Sequence, residues 1–271
     1  MNALQRVALK TLVRTVGRLS DGVRIAGEDG MTSGRMLDYV YRNRPSGRLW
    51  IGKLLDRMYL AHRAWEAVRI RRRHLAELLE GAIRAALRES GRVVVLDIAA
   101  GPAAYIQEVL LKLPGEPIEA TCWDLDERWL AEGRTRAAGR GLGGIRYERG
   151  DALDARSFRR LPRRPNVVVA SGFYDWMEAD RTVQRSMALV HDALAGGGRF
   201  VFTAQTGHAD LAMVNSVFRG FDGEALRMKT RPLATVHDWA RETGFEIAHW
   251  RSDPWGYHAV SVARPRPPAA F

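Results

Sequence analysis

The chain has 271 residues, 46% hydrophobic and 27% charged, long enough for one large domain with its own core plus an appendage. It carries 42 Lys and Arg against 31 Asp and Glu, a net charge of +11, and one cysteine, Cys122, which excludes disulfides, Cys-based zinc clusters and cysteine-pair chemistry. No apolar run reaches the roughly 18 to 20 residues of a membrane span. Basic residues interrupt Met1 to Ser20, so a cytoplasmic protein without a secretory leader is expected.

The first 90 residues hold 18 basic and 9 acidic side chains, most of the surplus. Such a surplus attracts phosphates, nucleic acid or anionic lipid, or is simply a solvated arginine surface. Residues 2–19 read as a basic amphipathic helix, with Leu4, Val7, Leu12, Val16 and Leu19 near one side and Arg6, Lys10, Arg14 and Arg18 at every fourth position. Its two readings are a helix on an acidic membrane surface and a helix packed over the rest of the chain. After the turn-rich residues 27–34, aromatics alternate with arginines, and Tyr39, Tyr41, Arg42 and Arg44 are candidates for a substrate-side lid or for ordinary helix packing. From Leu54 to Arg88 the apolar spacing predicts one or two long helices, with Arg71, Arg72 and Arg73 as a solvent face. Residues 1–90 are therefore expected to form a helical cap.

From Arg92 the pattern changes to short apolar strands alternating with helices. Strands are expected at Val93–Ile98, Ile118–Trp123, Ile145–Glu148, Asn166–Ala170 and Arg199–Thr203. Phe245–Trp250 and Tyr257–Ala263 flank Asp253-Pro254-Trp255-Gly256 and read as a terminal antiparallel hairpin. The fold class is α/β: a doubly wound, Rossmann-like sheet of seven strands over residues 91–264, followed by a tail at 265–271.

The loop after the first strand reads Asp97-Ile98-Ala99-Ala100-Gly101-Pro102-Ala103. A dinucleotide fingerprint needs three glycines so that a pyrophosphate can approach the backbone, and here only Gly101 is in register. A ligand with no pyrophosphate has no such need, and Asp97 is placed to anchor a positively charged amino acid moiety. Asp124 ends the second strand, where a carboxylate can accept both ribose hydroxyls. Asp151 follows the third strand, within reach of an adenine amino group. Three acids at successive strand ends point to one adenosine-containing ligand at the carboxyl edge of the sheet.

On Leu96 to Gly101, Trp123-Asp124-Leu125-Asp126, Gly150-Asp151-Ala152, Ala170-Ser171-Gly172-Phe173, Leu194 to Phe200 and the final hairpin, residues 92–264 resemble the class I S-adenosylmethionine-dependent methyltransferases. The departure is the motif Asp-x-Gly-x-Gly-x-Gly, which here has alanine at its outer positions, Ala99 and Ala103. The resemblance implies S-adenosyl-L-methionine as cofactor. It would be held by Asp97, Ile98, Ala99, Ala100 and Gly101 at its methionine moiety, by Asp124 and Leu125 at the ribose side, and by Asp151 and Ala152 at the adenine. Ser171, Gly172 and Phe173 would complete the site. Leu37 to Asn43, Asp56 to Leu60, Ser171 to Tyr174 and Trp255-Gly256-Tyr257 resemble, more narrowly, a bacterial methyltransferase family sometimes fused behind an α/β-hydrolase domain.

Methyl transfer from a sulfonium is an in-line displacement of an activated donor, so positioning carries much of the catalysis. Only an acceptor that must lose a proton needs a base, and Tyr174 and His208 are the candidates, with His258 structural. The loop that clamps a flipped base amine is replaced by Ser171 to Tyr174, and Cys122 is misplaced for attack on cytosine. Asp175, Glu178 and Asp180 approximate an acid cluster but look like an exposed helix start, so no metal is expected. The expected acceptor is a small molecule or lipid-like metabolite methylated at O or N. An RNA acceptor and a non-catalytic module of the same fold stay open.

Overall fold

The computed structural model describes residues 16–31, 33–217 and 228–267. The expected helix over residues 2–19 lies outside them, apart from a 3₁₀ turn at Val16–Leu19. In chain order the described elements begin with helices α1 (Asp21–Glu28), α2 (Gly34–Arg42), α3 (Leu49–Leu60) and α4 (Arg63–Ser90). Alternation follows: β1 (Val93–Ile98), α5 (Ala104–Leu111), β2 (Ile118–Asp124), α6 (Glu127–Ala138), β3 (Ile145–Arg149), α7 (Ala155–Arg159), β4 (Val167–Ala170), α8 (Asp180–Ala193) and β5 (Arg199–Gln205). The chain ends with α9 (Leu211–Val217), α10 (Leu233–Glu242), β6 (Phe245–Ser252) and β7 (His258–Pro265).

Two compact units emerge: Met1–Ile70 with His208–Met228, and Arg71–Gly207 with Lys229–Phe271. The division falls inside α4 and not near residue 90, and the segment after β5 joins the N-terminal helices. In the helical unit, Ser20 and Ser33 cap α1 and α2, their hydroxyls accepting from the amides of Val23 and Met36 at 3.1 and 3.2 Å. Ile25, Met36, Tyr39, Val40, Leu60, Trp65 and Val214 form its core.

Asp56 on α3 ties this unit together. Its buried carboxylate accepts from the Ser20 hydroxyl at 2.5 Å and from the amides of Gly22, Ser46 and Gly47 at 3.1, 3.0 and 2.6 Å. Burial alone would raise its pKa, but these donors outweigh burial and hold it below the ordinary carboxylate value. Gly52, one turn earlier, lets α3 lie against the Leu19 carbonyl, which a Cβ would strike.

In the second unit the sheet runs β3-β2-β1-β4-β5-β7-β6. The first five strands are parallel, β7 pairs antiparallel to β5 and β6 antiparallel to β7. Both faces are covered, so strands such as Val-Val-Val-Ala at β4 are apolar throughout. Val93, Val95, Val167 and Val169 face one core, with Leu75, Leu79 and Ile83 of α4 and Ile106 and Val109 of α5. Leu96, Ile98, Val168, Phe200 and Phe202 face the other, with Met187 and Val190 of α8 and Trp239 of α10. Because β1 neighbours both β2 and β4, chain order reverses beside it, which is where open parallel sheets bind ligands.

Candidate active site at the carboxyl edge of the sheet

Parallel pairing brings the ends of β1 to β5, and hence Asp97, Asp124, Asp151 and Ser171, to one edge. The loop after β1 is the unusual part. Ala99, Gly101 and Ala103 all take left-handed backbone, with φ of 52°, 55° and 50°. These are the three glycine positions of the Asp-x-Gly-x-Gly-x-Gly register. The backbone path is that of a glycine-rich loop, held by two alanines at a cost of about 1–2 kcal/mol each.

Several bonds fix this path. The Ala100 amide donates to the Trp123 carbonyl at 2.8 Å. The Gly101 amide donates to Asp124 Oδ2 at 2.8 Å, and the Asp126 amide to Asp124 Oδ1 at 2.9 Å. Asp124 is thus locked by one backbone donor on each oxygen. Each oxygen keeps lone-pair capacity for a further donor. Leu125 beside it is 56% exposed, an apolar surface at the strand end.

Asp97 is fully buried, and the Tyr105 hydroxyl lies 2.6 Å from both its oxygens. Burial pushes its pKa well above the ordinary value, with the charge of Asp124 adding to this against the Tyr105 hydrogen bond. Among the described residues no lysine or arginine forms an ion pair with it. A buried acid served by one hydroxyl suits an incoming cation, and the sequence reading overlooked the Tyr105 hydroxyl that meets it.

Asp151, half-buried, accepts the Leu153 amide at 2.8 Å on Oδ1, while its own amide donates to the Ser157 hydroxyl at 3.2 Å. Ala152 is buried beneath it. Gly172, at φ 70°, donates its amide to the Thr203 hydroxyl at 2.7 Å and so joins the ends of β4 and β5. Ile98 and Ala100 are buried, whereas Ser171 and Phe173 are partly exposed at that edge.

Several expectations need correction. Tyr174 turns away from the edge: its ring is buried among Phe173, Phe200 and Phe202, and its hydroxyl shares a 3.4 Å hydrogen bond with Ser186 of α8. Burial raises its pKa against the Ser186 hydrogen bond, which disfavours the phenolate form. Asp175 is no exposed helix start. It is buried, with Oδ1 accepting the Gln205 amide at 2.9 Å and Oδ2 lying 3.4 Å from Arg71 Nη1. Burial lifts its pKa to about 6, against the pull of Arg71, the Gln205 amide and Arg231.

Arg71 is correspondingly no solvent residue, its side chain being only 11% exposed, and Arg72 pairs with Glu108. Buried Arg231 completes this corner by donating to the carbonyls of Tyr174 (2.8 Å) and Met177 and to Asp180 Oδ1 at 3.0 Å. Arg71 and Asp175 are 104 positions apart, so no local spacing signals their pairing.

His208 falls in the helical unit. Its Nδ1 accepts the Asp210 amide at 3.0 Å, which places the proton of the neutral ring on Nε2 as a donor. Burial lowers its pKa, and nearby His62 adds to this against Asp210. Of the lid candidates, Tyr39 is a core residue of the helical unit, Tyr41 is half-buried against that core and Arg44 is exposed. Among the described residues no group of three His, Cys, Asp or Glu is placed to hold a metal.

Comparison with known proteins decides the family. The model of the family described as "Putative methyltransferase" matches residues 1–265. The chain belongs to this family. An Escherichia coli K12 relative, the uncharacterized protein YnbC, is 33% identical over 258 residues; these cover 94% of this chain and 44% of YnbC. The chain thus spans less than half of that relative's length.

Two solved structures share the fold. A protein described as a possible exported protein of Bordetella parapertussis superposes with a TM-score of 0.72 at 19% identity, covering 96% of this chain and 92% of its own. Magnesium protoporphyrin IX methyltransferase from Synechocystis PCC 6803, with S-adenosylhomocysteine bound, superposes with a TM-score of 0.55 at 13% identity, covering 93% of this chain and all of its own. The methyltransferase family and fold agree with the seven-stranded sheet and its terminal antiparallel hairpin.

Proposed function

We propose that this methyltransferase binds S-adenosyl-L-methionine at the loop after β1, transfers its methyl group to an O or N atom of a small-molecule or lipid-like acceptor, and releases S-adenosyl-L-homocysteine. One observation carries the reading. Three left-handed residues occupy the glycine register of the loop, and the middle one is hydrogen-bonded to the carboxylate that ends β2. A loop that accepts left-handed alanines retains a costly shape, and cost concentrates where a ligand is held.

The cofactor supplies a methyl group already activated on sulfur. Asp97, steadied by Tyr105, offers a buried acid to the ammonium of the methionine moiety. Asp124, with one backbone donor on each oxygen, presents its remaining lone pairs to ribose hydroxyls. Leu125 supplies an apolar surface beside them, and Asp151 with Ala152 would take the adenine. Gly172 and Thr203 fix the spacing between β4 and β5, so the edge is preformed. Positioning of this kind is worth roughly 7–11 kcal/mol in well-aligned reactions. The Tyr174 hydroxyl is engaged with Ser186, which leaves His208 as the remaining candidate for a base where the acceptor must lose a proton.

The lone thiol, Cys122, is buried in β2 and accords with a reducing, cytoplasmic setting. Incubation of the purified chain with tritiated S-adenosyl-L-methionine and fractionated cell extract tests the acceptor class. Label in the organic or small-molecule fraction is expected. Label confined to RNA would refute this acceptor class.

A further inference from the structure

Helix α3 packs Leu60 and Tyr59 into the core of its unit, as an ordinary surface helix does with its apolar stripe, but it carries a second apolar line that faces outward. Its buried line consists of Gly52, Asp56 and Leu60, built around a hydrogen-bonded carboxylate. The opposite line is Trp50, Leu54 and Met58, spaced by four residues and therefore on one face. These side chains are 74%, 49% and 65% exposed, and Ile51 beside them is 37% exposed.

Charge on this helix is equally one-sided. Lys53 and Arg57 are exposed along one border of the apolar line, and Arg48 is exposed at the N-cap. The only acid on α3 is Asp56, which is buried and occupied by four donors from its own unit. The outward face therefore has an apolar centre, a cationic rim and no anion of its own.

We propose that this face of α3 docks on an anionic lipid surface. Trp50, Leu54 and Met58 enter the boundary between headgroups and acyl chains, and Lys53, Arg57 and Arg48 meet lipid phosphates. A tryptophan suits that depth because its ring is apolar and its N–H remains near water. Charge selects lipid over a second copy of the chain, since a two-fold contact through this face would set the same cations against each other. No described helix is long and apolar enough to cross a membrane, so the contact is interfacial. The inference concerns the helical unit alone and stands independently of the cofactor reading.

The test is flotation of the full chain with phosphatidylcholine vesicles, with and without phosphatidylglycerol, at low and high salt. Wild-type protein is expected to float only with the anionic vesicles and to be released by salt. The variants W50S/L54S/M58S and K53E/R57E are each expected to weaken binding by about tenfold or more. Because all five side chains are exposed, thermal melts and S-adenosyl-L-homocysteine binding should stay as in wild type. Failure of the wild type to float, or wild-type affinity in both variants, would overturn the proposal. So would a wild-type dimer that W50S/L54S/M58S converts to monomer with lipid binding untouched. Loss of binding on R6E/K10E/R14E with none on the α3 variants would assign attachment elsewhere and equally refute it.

Discussion

Replacing Ala99 with glycine should stabilise the protein, against the usual rule that glycine loosens a fold. Ala99 has φ of 52°, a conformation that costs an L-residue with a Cβ about 1–2 kcal/mol. Glycine removes that cost but gives back about 0.5–1 kcal/mol in unfolded-chain entropy. Ala99 is only partly buried, so little packing is lost and the net gain is about 0.5–1 kcal/mol. Ala103 has φ of 50° but its methyl is 1% exposed in the core, and losing about 0.8 kcal/mol of burial brings A103G close to neutral. Ala100, between them, is not left-handed and is 7% exposed, so A100G loses both contributions and should fall by about 1–2 kcal/mol. Urea denaturation of the three variants gives the comparison, with A99G highest and A100G lowest. Thermal midpoints should move by about 2–4 °C per kcal/mol for a chain of this size. If A99G loses as much as A100G, the strain attributed to this loop is absent.

Three further outcomes follow from the same geometry. Asp175, with its pKa raised to about 6 by burial, binds a proton in the folded state that the unfolded chain has released above about pH 4. Wild-type stability should therefore fall as pH rises from about 4 to about 6, and D175N should flatten that slope in denaturation curves; an unchanged slope would contradict the assignment. Asp97, also raised, should give up its proton when a cationic amino group arrives, so S-adenosyl-L-homocysteine should bind more tightly as pH rises through that pKa. Calorimetry in buffers of different ionisation enthalpy should detect proton release in wild type and none in D97N. Y174F should keep methyl-transfer activity within about twofold and lose roughly 0.5–1.5 kcal/mol of stability, because its hydroxyl serves Ser186 and not a substrate; a loss of a hundredfold or more would restore it as a base.

The strands were legible because parallel strands buried on both faces must be continuously apolar. Val93–Ile98 is as expected, and the others differ by one or two residues at their ends. The three strand-end acids were legible for a related reason: parallel strands deliver their carboxyl ends to one edge, so position in the chain predicts position in space. Pairings made by distant elements left no trace in local spacing. Arg71 sits in a run of three arginines that reads as solvated, and only folding sets it beside Asp175. Tyr174 carried the opposite error, since proximity to β4 located its backbone without revealing that its ring turns inward among phenylalanines. Asp56 stood in the sequence only as the first residue of the Asp56 to Leu60 motif, with nothing to show that Ser20, Gly22, Ser46 and Gly47 all converge on it.

The central claim is that the loop from Asp97 to Ala103 holds S-adenosyl-L-methionine and not a dinucleotide. A thermal-shift titration of the intact chain with S-adenosyl-L-homocysteine, run beside NAD, tests it directly, because a ligand bound only by the folded state raises the midpoint with concentration. The account predicts a concentration-dependent rise with S-adenosyl-L-homocysteine, lost in D124A, and none with NAD. A rise with NAD alone, or with neither ligand, would contradict it.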